Sequence, residues 1–347
     1  MYESTISFPG LGIDSFTVDN VAFYIFGRPI AWYALFITLG MVCCFIYVVL
    51  KAKKIGINMD TVIDYALFTI PIGVVGARLL YVISNLDFYL DKRNYDNFFQ
   101  GLISIPDGGL AIYGGIICGA LTVLCVSKFK KISFFGFGDC VAPGVILAQG
   151  IGRWGNFMNG EAYGTVSNGL FRMGLYNYNT TRDTLLEKAG ADITKMVYVH
   201  PTFLYESVWN ISGFILVNLY SKFIGKKYDG QLILLTFGWY GLGRMIFEGL
   251  RTDPLQPFLK YGIELRINQL IAALAFIICL SLLIFFAIKK PKSELFVYEG
   301  PSGNEEKKDV DKGENSESVA FFEKVKSFFG IKSNKVDEKQ KKGKNKD

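Results

Sequence analysis

The sequence predicts an all-α polytopic membrane protein with about seven transmembrane helices and a small extracytoplasmic head. Its composition is apolar, since 51% of the 347 residues are hydrophobic and the mean hydropathy is +0.29. Residues 30–50 and 271–288 carry no charge, and a bilayer-spanning helix needs about 20 such residues. Basic residues recur at every second connection between apolar runs. This pattern predicts an N-terminus outside the cell and a C-terminus in the cytoplasm.

Seven candidate spans follow one another along the chain. They cover residues 30–50, 61–83, 107–127, 133–153, 201–221, 230–250 and 268–288. Lysines follow the first, third, fifth and seventh spans, as "KAKK" (51–54), "KFKK" (128–131), Lys222 with Lys226 and Lys227, and "KKPK" (289–292). The positive-inside rule places these connections in the cytoplasm. An odd number of spans then separates the two termini across the membrane.

The domain boundary is expected where the last span ends. Residues 1–290 are expected to form a transmembrane catalytic domain, with residues 154–200 as its extracytoplasmic head segment. Residues 291–347 are a charged cytoplasmic tail that is expected to be mostly disordered. Within the tail, "VAFFEKVKSFFGI" (319–331) places aromatic residues on one helical face before a basic run. Two interpretations stay open, an amphipathic helix on the anionic inner leaflet or a solvated tail with incidental aromatic residues.

Cysteine and histidine usage argues against disulfide and metal sites. The six cysteines lie in apolar runs without a CxxC pair, and the chain has one histidine, His200. The GxGxxG match in "GIGRWG" (150–155) has no preceding strand, so a dinucleotide site is not predicted. We therefore expect no cofactor and no metal.

Charged side chains within the spans are the main functional signal. Arg78, Arg153, Arg244 and Arg251 all fall in the outer half of the membrane or at its outer edge under this topology. Guanidiniums around a shared cavity repel one another unless an anion lies between them, and a phosphate ester suits arginine because it is bound bidentately. An anionic phospholipid headgroup is the favoured ligand, and a soluble phosphate is the alternative. The alternative is that each arginine reaches water or pairs with a carboxylate, as Arg244 with Glu248 at i,i+4.

Two other function classes use some of the same residues. A transporter or flippase of an anionic phospholipid or phosphate would use the arginines without making bonds, although no repeat relates the two halves of the chain. An intramembrane aspartyl peptidase would instead depend on Asp139, in "GFGD" (136–139), and on Asp64. Asp139 has a structural alternative, as a cap or anchor at the start of the fourth span.

A set of motifs resembles one known family. The stretch "GRWGNFMNGEAYG" (152–164) resembles the signature of the bacterial prolipoprotein diacylglyceryl transferase family. Six further segments also match in order and spacing: "WYALFITLG" (32–40), "GARLLY" (76–81), "DGGLAIYGG" (107–115), "GDCVAP" (138–143), "HPTFLYE" (200–206) and "YGLGRMIFEGLR" (240–251). The resemblance covers about residues 20–290 and leaves out the charged tail.

The resemblance implies an enzyme of the bacterial cytoplasmic (plasma) membrane whose active site faces the outer leaflet. It would transfer the diacylglyceryl group of phosphatidylglycerol to the lipobox cysteine thiol of a preprolipoprotein. A thioether forms and glycerol phosphate is released, as the first step of bacterial lipoprotein maturation. The expected partners are phosphatidylglycerol, preprolipoprotein signal peptides and bilayer lipids. No nucleic-acid partner is expected, and the chain is expected to be monomeric.

The resemblance also implies roles for individual residues. Arg153 and Arg244 would hold the phosphate and stabilise its charge as it departs, while Glu248 would fix Arg244. Asn156 and Glu161 would orient groups around the headgroup. The expected catalytic residues are Arg153, Arg244, Tyr113, Glu161 and Glu248. The expected substrate-binding residues are Tyr33, Arg78, Asn156, Gly164, Tyr240 and His200.

One position departs from the family pattern and leaves the general base open. Many members have a histidine where this chain has Tyr113, and that histidine has been assigned as the base for the thiol. A tyrosine with a pKa of about 10 is a poor base at neutral pH unless a neighbouring cation lowers that pKa. Tyr113 would act as a phenolate or a hydrogen-bond donor, or the base lies elsewhere. His200, a carboxylate and a thiol that ionises beside the arginines are the alternatives.

Overall fold

Long helices make up most of the described part of the chain. The computed structural model describes residues 3–90, 102, 109–177, 180–252, 266–289 and 295–298. Within these residues the helices are α1 Trp32–Ala52, α2 Met59–Ser84, α3 Leu86–Leu90, α4 Ile112–Lys130, α5 Phe134–Met158, α6 Thr184–Lys188, α7 Thr202–Phe223, α8 Gln231–Glu248 and α9 Ile267–Lys289. The candidate helix at 319–331 lies outside the described residues.

Each of the seven predicted spans overlaps one of the long helices. Five segments are long and apolar enough to cross a membrane: Trp32–Ile55, Met59–Ser84, Ile112–Lys130, Phe134–Met158 and Ile267–Lys289. The other two, α7 and α8, bury polar side chains against neighbouring helices, among them Glu206, Asn210 and Thr236. Interior polar groups lower the mean hydropathy of a helix, which explains why these two helices fall outside that set. The fold is a mostly helical membrane protein.

The central helix of the bundle is α5. Half of the residues in its apolar stretch are buried, against 11–22% of those in the other four apolar segments. It packs against α1, α7 and α8, while α2 packs against α4 and α8 against α9. At Gly40 of α1, an added Cβ would lie 2.8 Å from the carbonyl oxygen of Ala148. The two backbones are therefore so close that only glycine fits there.

A small sheet region adds to the predicted helical fold. Its strands are β1 Glu3–Phe8, β2 Ile13–Asp19, β3 Val21–Ile25, β4 Arg28–Ala31, β5 Met173–Tyr176 and β6 Val197–Val199. One antiparallel sheet has the order β2-β1-β5-β6, and β3 pairs with β4 in a separate hairpin. In the larger sheet Ile6 lies opposite Leu175, and both are fully buried. Residues before the first helix thus join the predicted head segment in one structure.

The larger sheet packs against the ends of α5 and α7. Its buried side chains form one cluster with Phe203 of α7, and Phe157 of α5 packs against that cluster. The rings of Phe157 and Phe203 lie with their centroids 4.6 Å apart. This contact holds together the ends of α5 and α7 that carry the charged residues described below.

The opposite end of the bundle is tied by Asp139. Its carboxylate accepts hydrogen bonds from three backbone N–H groups at the start of α8, those of Gly230, Leu232 and Ile233, at 2.9–3.1 Å. Lys226 lies 3.2 Å away. Asp139 therefore caps the helix of the sixth span, a different helix from the fourth span it was expected to anchor. Asp64 pairs with Lys130 at 2.6 Å, so both aspartates have structural partners.

Candidate active site

A buried carboxylate lies where three arginines meet. Glu206 of α7 is 4% exposed. Its oxygens lie 2.6 Å from Nη2 of Arg153, 3.0 Å from Nη1 of Arg244 and 3.7 Å from Nη1 of Arg251. Three of the four predicted arginines therefore converge, and the anion between them here is a protein side chain.

A second carboxylate completes this cluster. Glu248 is fully buried, and its Oε2 lies 2.5 Å from Nη2 of Arg244, one helical turn earlier on α8. We call Arg153, Arg244, Arg251, Glu206 and Glu248 the arginine–glutamate cluster. Three guanidiniums and two carboxylates leave one excess positive charge within it. Because the side chains are mostly removed from water, that charge attracts an anion more strongly than a surface charge would.

The end of α8 is held in place by a further arginine. Arg266 donates from Nη1 to the backbone carbonyl oxygens of Glu248, Gly249 and Arg251, at 2.6, 3.1 and 3.4 Å. These carbonyls lack partners within the helix, and a cation at a helix C-terminus also offsets the helix dipole. Arg266 thereby fixes the backbone that carries Glu248 and Arg251.

A second series of hydrogen-bonded polar side chains, from residues 152–164, lies beside Arg153. Asn156 accepts from Nη1 of Arg153 at 3.4 Å and donates to Oε1 of Glu161 at 2.9 Å. Asn159 donates to the same oxygen at 3.2 Å. Ala162 follows with a φ of 56°, a left-handed conformation that is uncommon outside glycine. The strained turn directs Glu161 back toward the end of α5.

Tyr113 reaches the cluster through Asn268. Its hydroxyl donates to Oδ1 of Asn268 at 2.7 Å, and Nδ2 of Asn268 donates to Oε1 of Glu248 at 3.1 Å. Tyr113 lies in the first turn of α4, and Asn268 lies in the first turn of α9. The predicted catalytic residues Tyr113, Glu248 and Arg244 are thus connected by continuous contacts.

An apolar cavity of about 560 Å³ opens beside the cluster. Tyr33, Arg153, Asn156 and Tyr240 line it together with apolar residues of α1, α2 and α5. Its lining on α1 runs from Tyr33 to Val48, a distance of about 22 Å at 1.5 Å per residue. Half of a bilayer's hydrocarbon core is about 15 Å thick, so the cavity is long enough for a lipid acyl chain.

Gly164 and His200 connect the head to the cluster through their backbones. The N–H of Gly164 donates to the carbonyl of His200 at 2.9 Å, and Gly164 forms an antiparallel bridge with Arg251. A Cβ at Gly164 would lie 2.7 Å from the Cβ of His200 and 3.0 Å from the carbonyl oxygen of Leu250. Any larger residue there would displace the segment that carries Arg251.

The His200 side chain is partly buried beside Tyr205. Its Nδ1 lies 3.4 Å from the Tyr205 hydroxyl. Burial lowers the pKa of His200 below its ordinary value, because the imidazolium loses hydration. The imidazole is therefore neutral at physiological pH.

Arg78 binds the backbone that leads into α4. Its Nε donates to the carbonyl of Leu102 at 3.2 Å, and its Nη1 donates to the carbonyl of Gly109 at 3.1 Å. The guanidinium also lies 5.4 Å from the ring centre of Tyr89. Arg78 is 2% exposed, so these contacts position the segment preceding Tyr113.

Among the described residues, sequence reasoning missed Glu206, Asn268, Asn159 and Arg266, of which the first two contact the predicted catalytic side chains most directly. Glu206 stands in the "HPTFLYE" motif within the fifth span, and a carboxylate in an apolar run is itself a functional signal. That signal marks Glu206 as a candidate but does not indicate its contacts with Arg153 and Arg244 on other helices. Asn268 stands at the start of the seventh span, where an asparagine commonly caps a helix. Its sequence position therefore gave no indication of a contact with Tyr113.

Comparison with known proteins gives one family. The model of the family described as prolipoprotein diacylglyceryl transferase matches residues 20–285. The phosphatidylglycerol–prolipoprotein diacylglyceryl transferase of Clostridioides difficile (strain 630) is 39% identical over 241 residues, covering 69% of this chain and 85% of that protein. Transferase 1 of Clostridium perfringens (strain 13 / Type A) is 38% identical over 282 residues, covering 81% and 100%. The protein of Staphylococcus aureus (strain MSSA476) is 34% identical over 279 residues, covering 80% and 93%.

Proposed function

The chain belongs to the prolipoprotein diacylglyceryl transferase family, and we propose that its arginine–glutamate cluster is the site of phosphatidylglycerol–prolipoprotein diacylglyceryl transfer. This reaction is the first step of lipoprotein maturation. The observation that carries the assignment is the convergence of Arg153, Arg244 and Arg251 on buried Glu206, next to an apolar cavity. A phospholipid has the same two parts, an anionic headgroup and apolar chains.

The reaction exchanges one bond at a glyceryl carbon. The thiol sulfur of the lipobox cysteine attacks the carbon that carries the phosphate. A carbon–sulfur bond forms while the carbon–oxygen bond breaks, and the electron pair leaves with glycerol phosphate. The thiol proton passes to water, so the products are a thioether, glycerol phosphate and one proton, with no net change in oxidation state.

Arg153 and Arg244 bind the phosphate in this proposal. A phosphodiester carries one negative charge, which matches the one excess positive charge of the cluster. As the carbon–oxygen bond breaks, the leaving phosphate gains a second charge. Guanidiniums already held in place stabilise that charge without reorganisation. Glu206 keeps the three guanidiniums together before the lipid binds.

The remaining predicted residues have three different roles. Tyr33 and Tyr240 line the cavity beside Arg153 and contact the lipid near its headgroup. Asn156 and Glu161 hold Arg153 in position. Gly164 and His200 act through backbone contacts that place the cluster, whereas Arg78 holds the backbone that leads to Tyr113.

The thiol reaches this site from the outer face of the membrane. Under the positive-inside assignment, Arg153, Arg244 and the head all lie on the extracytoplasmic side. The acyl chains remain in the apolar cavity while the signal peptide presents its cysteine. Nearby guanidiniums favour the thiolate over the thiol, which reduces the demand on any protein base.

The test uses purified protein in detergent. It receives phosphatidylglycerol radiolabelled in the glyceryl carbons of its diacylglyceryl group, and a lipobox peptide with one cysteine. We expect base-stable label on the peptide, none on the Cys-to-Ser peptide and at least a hundredfold loss with Arg153→Ala. Arg172→Ala is the matched control, because Arg172 lies in the head and contacts Gly169 and Tyr198. Failure of folded, lipid-binding wild-type protein to label the peptide would overturn the assignment.

A further inference from the structure

We propose that Asn268 is a positioning residue that fixes the Tyr113 hydroxyl as a hydrogen-bond acceptor toward the substrate. It also couples that hydroxyl to the ion pair of Glu248 and Arg244. The inference rests on the proposed function, because Arg244 is the phosphate-binding group that the contacts reach. Three helix ends supply the contacts, since Tyr113 lies in the first turn of α4, Asn268 lies in the first turn of α9 and Glu248 ends α8.

The direction of each hydrogen bond follows from what each group can donate. Glu248 is fully buried and paired with Arg244, so its carboxylate only accepts. The amide nitrogen of Asn268 must therefore face Glu248 Oε1, 3.1 Å away. The amide oxygen is left for Tyr113, so the hydroxyl at 2.7 Å must donate its proton.

An engaged proton limits what the Tyr113 hydroxyl can do. A phenol has one proton, and Asn268 accepts it. The lone pairs of the phenolic oxygen remain available as acceptors. Tyr113 can therefore receive a hydrogen bond from a thiol or a glycerol hydroxyl. It cannot donate to a phosphate oxygen while this arrangement holds.

An ionised Tyr113 does not fit the same arrangement. The phenolate oxygen would face the amide oxygen of Asn268 at 2.7 Å with no proton between them. Rotating the amide would turn its oxygen toward Glu248, where two acceptors would then meet. With either orientation of the amide Asn268 loses a hydrogen bond, to Tyr113 in the first and to the buried carboxylate of Glu248 in the second. Losing a hydrogen bond at a buried polar group is costly. Tyr113 keeps its proton, and the thiol proton leaves by another route.

A double-mutant cycle tests the coupling. Transfer rates are measured for wild type, Asn268→Ala, Tyr113→Phe and the double variant, with phosphatidylglycerol and the lipobox peptide. We expect Asn268→Ala to lower kcat about tenfold in wild type and less than threefold in Tyr113→Phe. An equal loss in both backgrounds would mean that Asn268 acts only through packing, which overturns the inference.

The neighbouring Gln269 provides the matched control. It donates to the carbonyl of Met245 at 3.0 Å, so it also links α9 to α8. Gln269→Ala removes a comparable hydrogen bond between α9 and α8 that lies outside the Tyr113–Asn268–Glu248 contacts. Its effect on kcat should be the same in the wild-type and Tyr113→Phe backgrounds. Inactive wild-type protein would instead overturn the proposed function, which separates the two failures.

The pH profile of kcat gives an independent readout that needs no Asn268 variant. With Tyr113 as an acceptor, Tyr113→Phe lowers kcat by a similar factor at every pH from 6 to 9. A phenolate base would produce an alkaline limb in the wild type that disappears in Tyr113→Phe. Disappearance of that limb would overturn the assignment of Tyr113 as an acceptor.

Discussion

The Oε2 atom of Glu206 and the Nη2 atom of Arg153 lie 2.6 Å apart and join the N-terminal part of α7 to the C-terminal part of α5. Nη1 of Arg244 lies 3.0 Å from the same oxygen, so a single carboxylate oxygen of α7 contacts arginines on both α5 and α8. A carboxylate in this position both stabilises the fold and competes with a bound phosphate. The two effects are separable by experiment.

Glu206→Gln is expected to destabilise the protein while increasing its thermal response to anionic lipid. Removing one partner of a buried charge pair costs about 3–5 kcal/mol, and Tm in detergent should fall. Phosphatidylglycerol supplies a replacement anion, so it should raise the Tm of Glu206→Gln more than that of wild type. Glu187→Gln, at an exposed head position, is the control. Equal lipid-induced shifts in all three proteins would contradict this expectation.

Arg244→Lys is expected to lower kcat/KM by about a hundredfold. Lysine keeps the charge, but it cannot contact Glu206 and Glu248 with separate nitrogens while presenting a planar face to phosphate. The measurement is the initial rate of peptide labelling at varied phosphatidylglycerol concentrations. Arg172→Lys should stay within twofold of wild type. Near-normal activity of Arg244→Lys would show that charge alone suffices at this position.

Ala66→Trp is expected to raise KM for long-chain phosphatidylglycerol about tenfold or more. Ala66 lines the cavity from α2, and an indole there would occupy space needed by an acyl chain. A phosphatidylglycerol with short chains should be affected less. The control is Ala120→Trp, because Ala120 is exposed on α4 outside this cavity lining. Identical KM values for both chain lengths would place the acyl chains elsewhere.

His200 is expected to make the protein less stable as the pH falls below about 6.5. Burial lowers the pKa of the folded imidazole, so the unfolded chain binds more protons in this range. Stability is then retained above the unfolded pKa and lost as the pH falls through it. Comparing Tm at pH 7.5 and 5.5 should show a smaller decrease for His200→Gln than for wild type. A larger decrease in the variant would reverse the assigned direction.

The helices were predictable because their signal is local. An apolar run near 20 residues and a basic cluster after it are both visible in a short window. The larger sheet was not predictable, since its strands β1 and β5 are paired although α1 to α5 lie between them in the sequence. Short strands whose partners are distant in sequence leave little periodicity to detect.

The site was predicted in part for the same reason. Arg153 and Arg244 stand out as charges within apolar runs, whereas their shared partner depends on how α5, α7 and α8 pack. Glu206 therefore remained unassigned although its motif was noticed. Asp139 was expected to anchor its own helix, and the structure places its hydrogen bonds on α8. Which helix receives a capping group is a tertiary property that sequence spacing does not give.

The cap formed by Asp139 has a mechanical consequence for how a lipid enters. Asp139 fastens α5 to one end of α8, and Glu206 fastens both helices near their other ends through Arg153 and Arg244. Contacts near both ends keep α5 and α8 from moving relative to each other. On the opposite side of the cavity α2 packs mainly against α4, so these two helices can move away from α5 and α8. We expect lipids to enter and leave on that side, while Arg153 and Arg244 keep their positions.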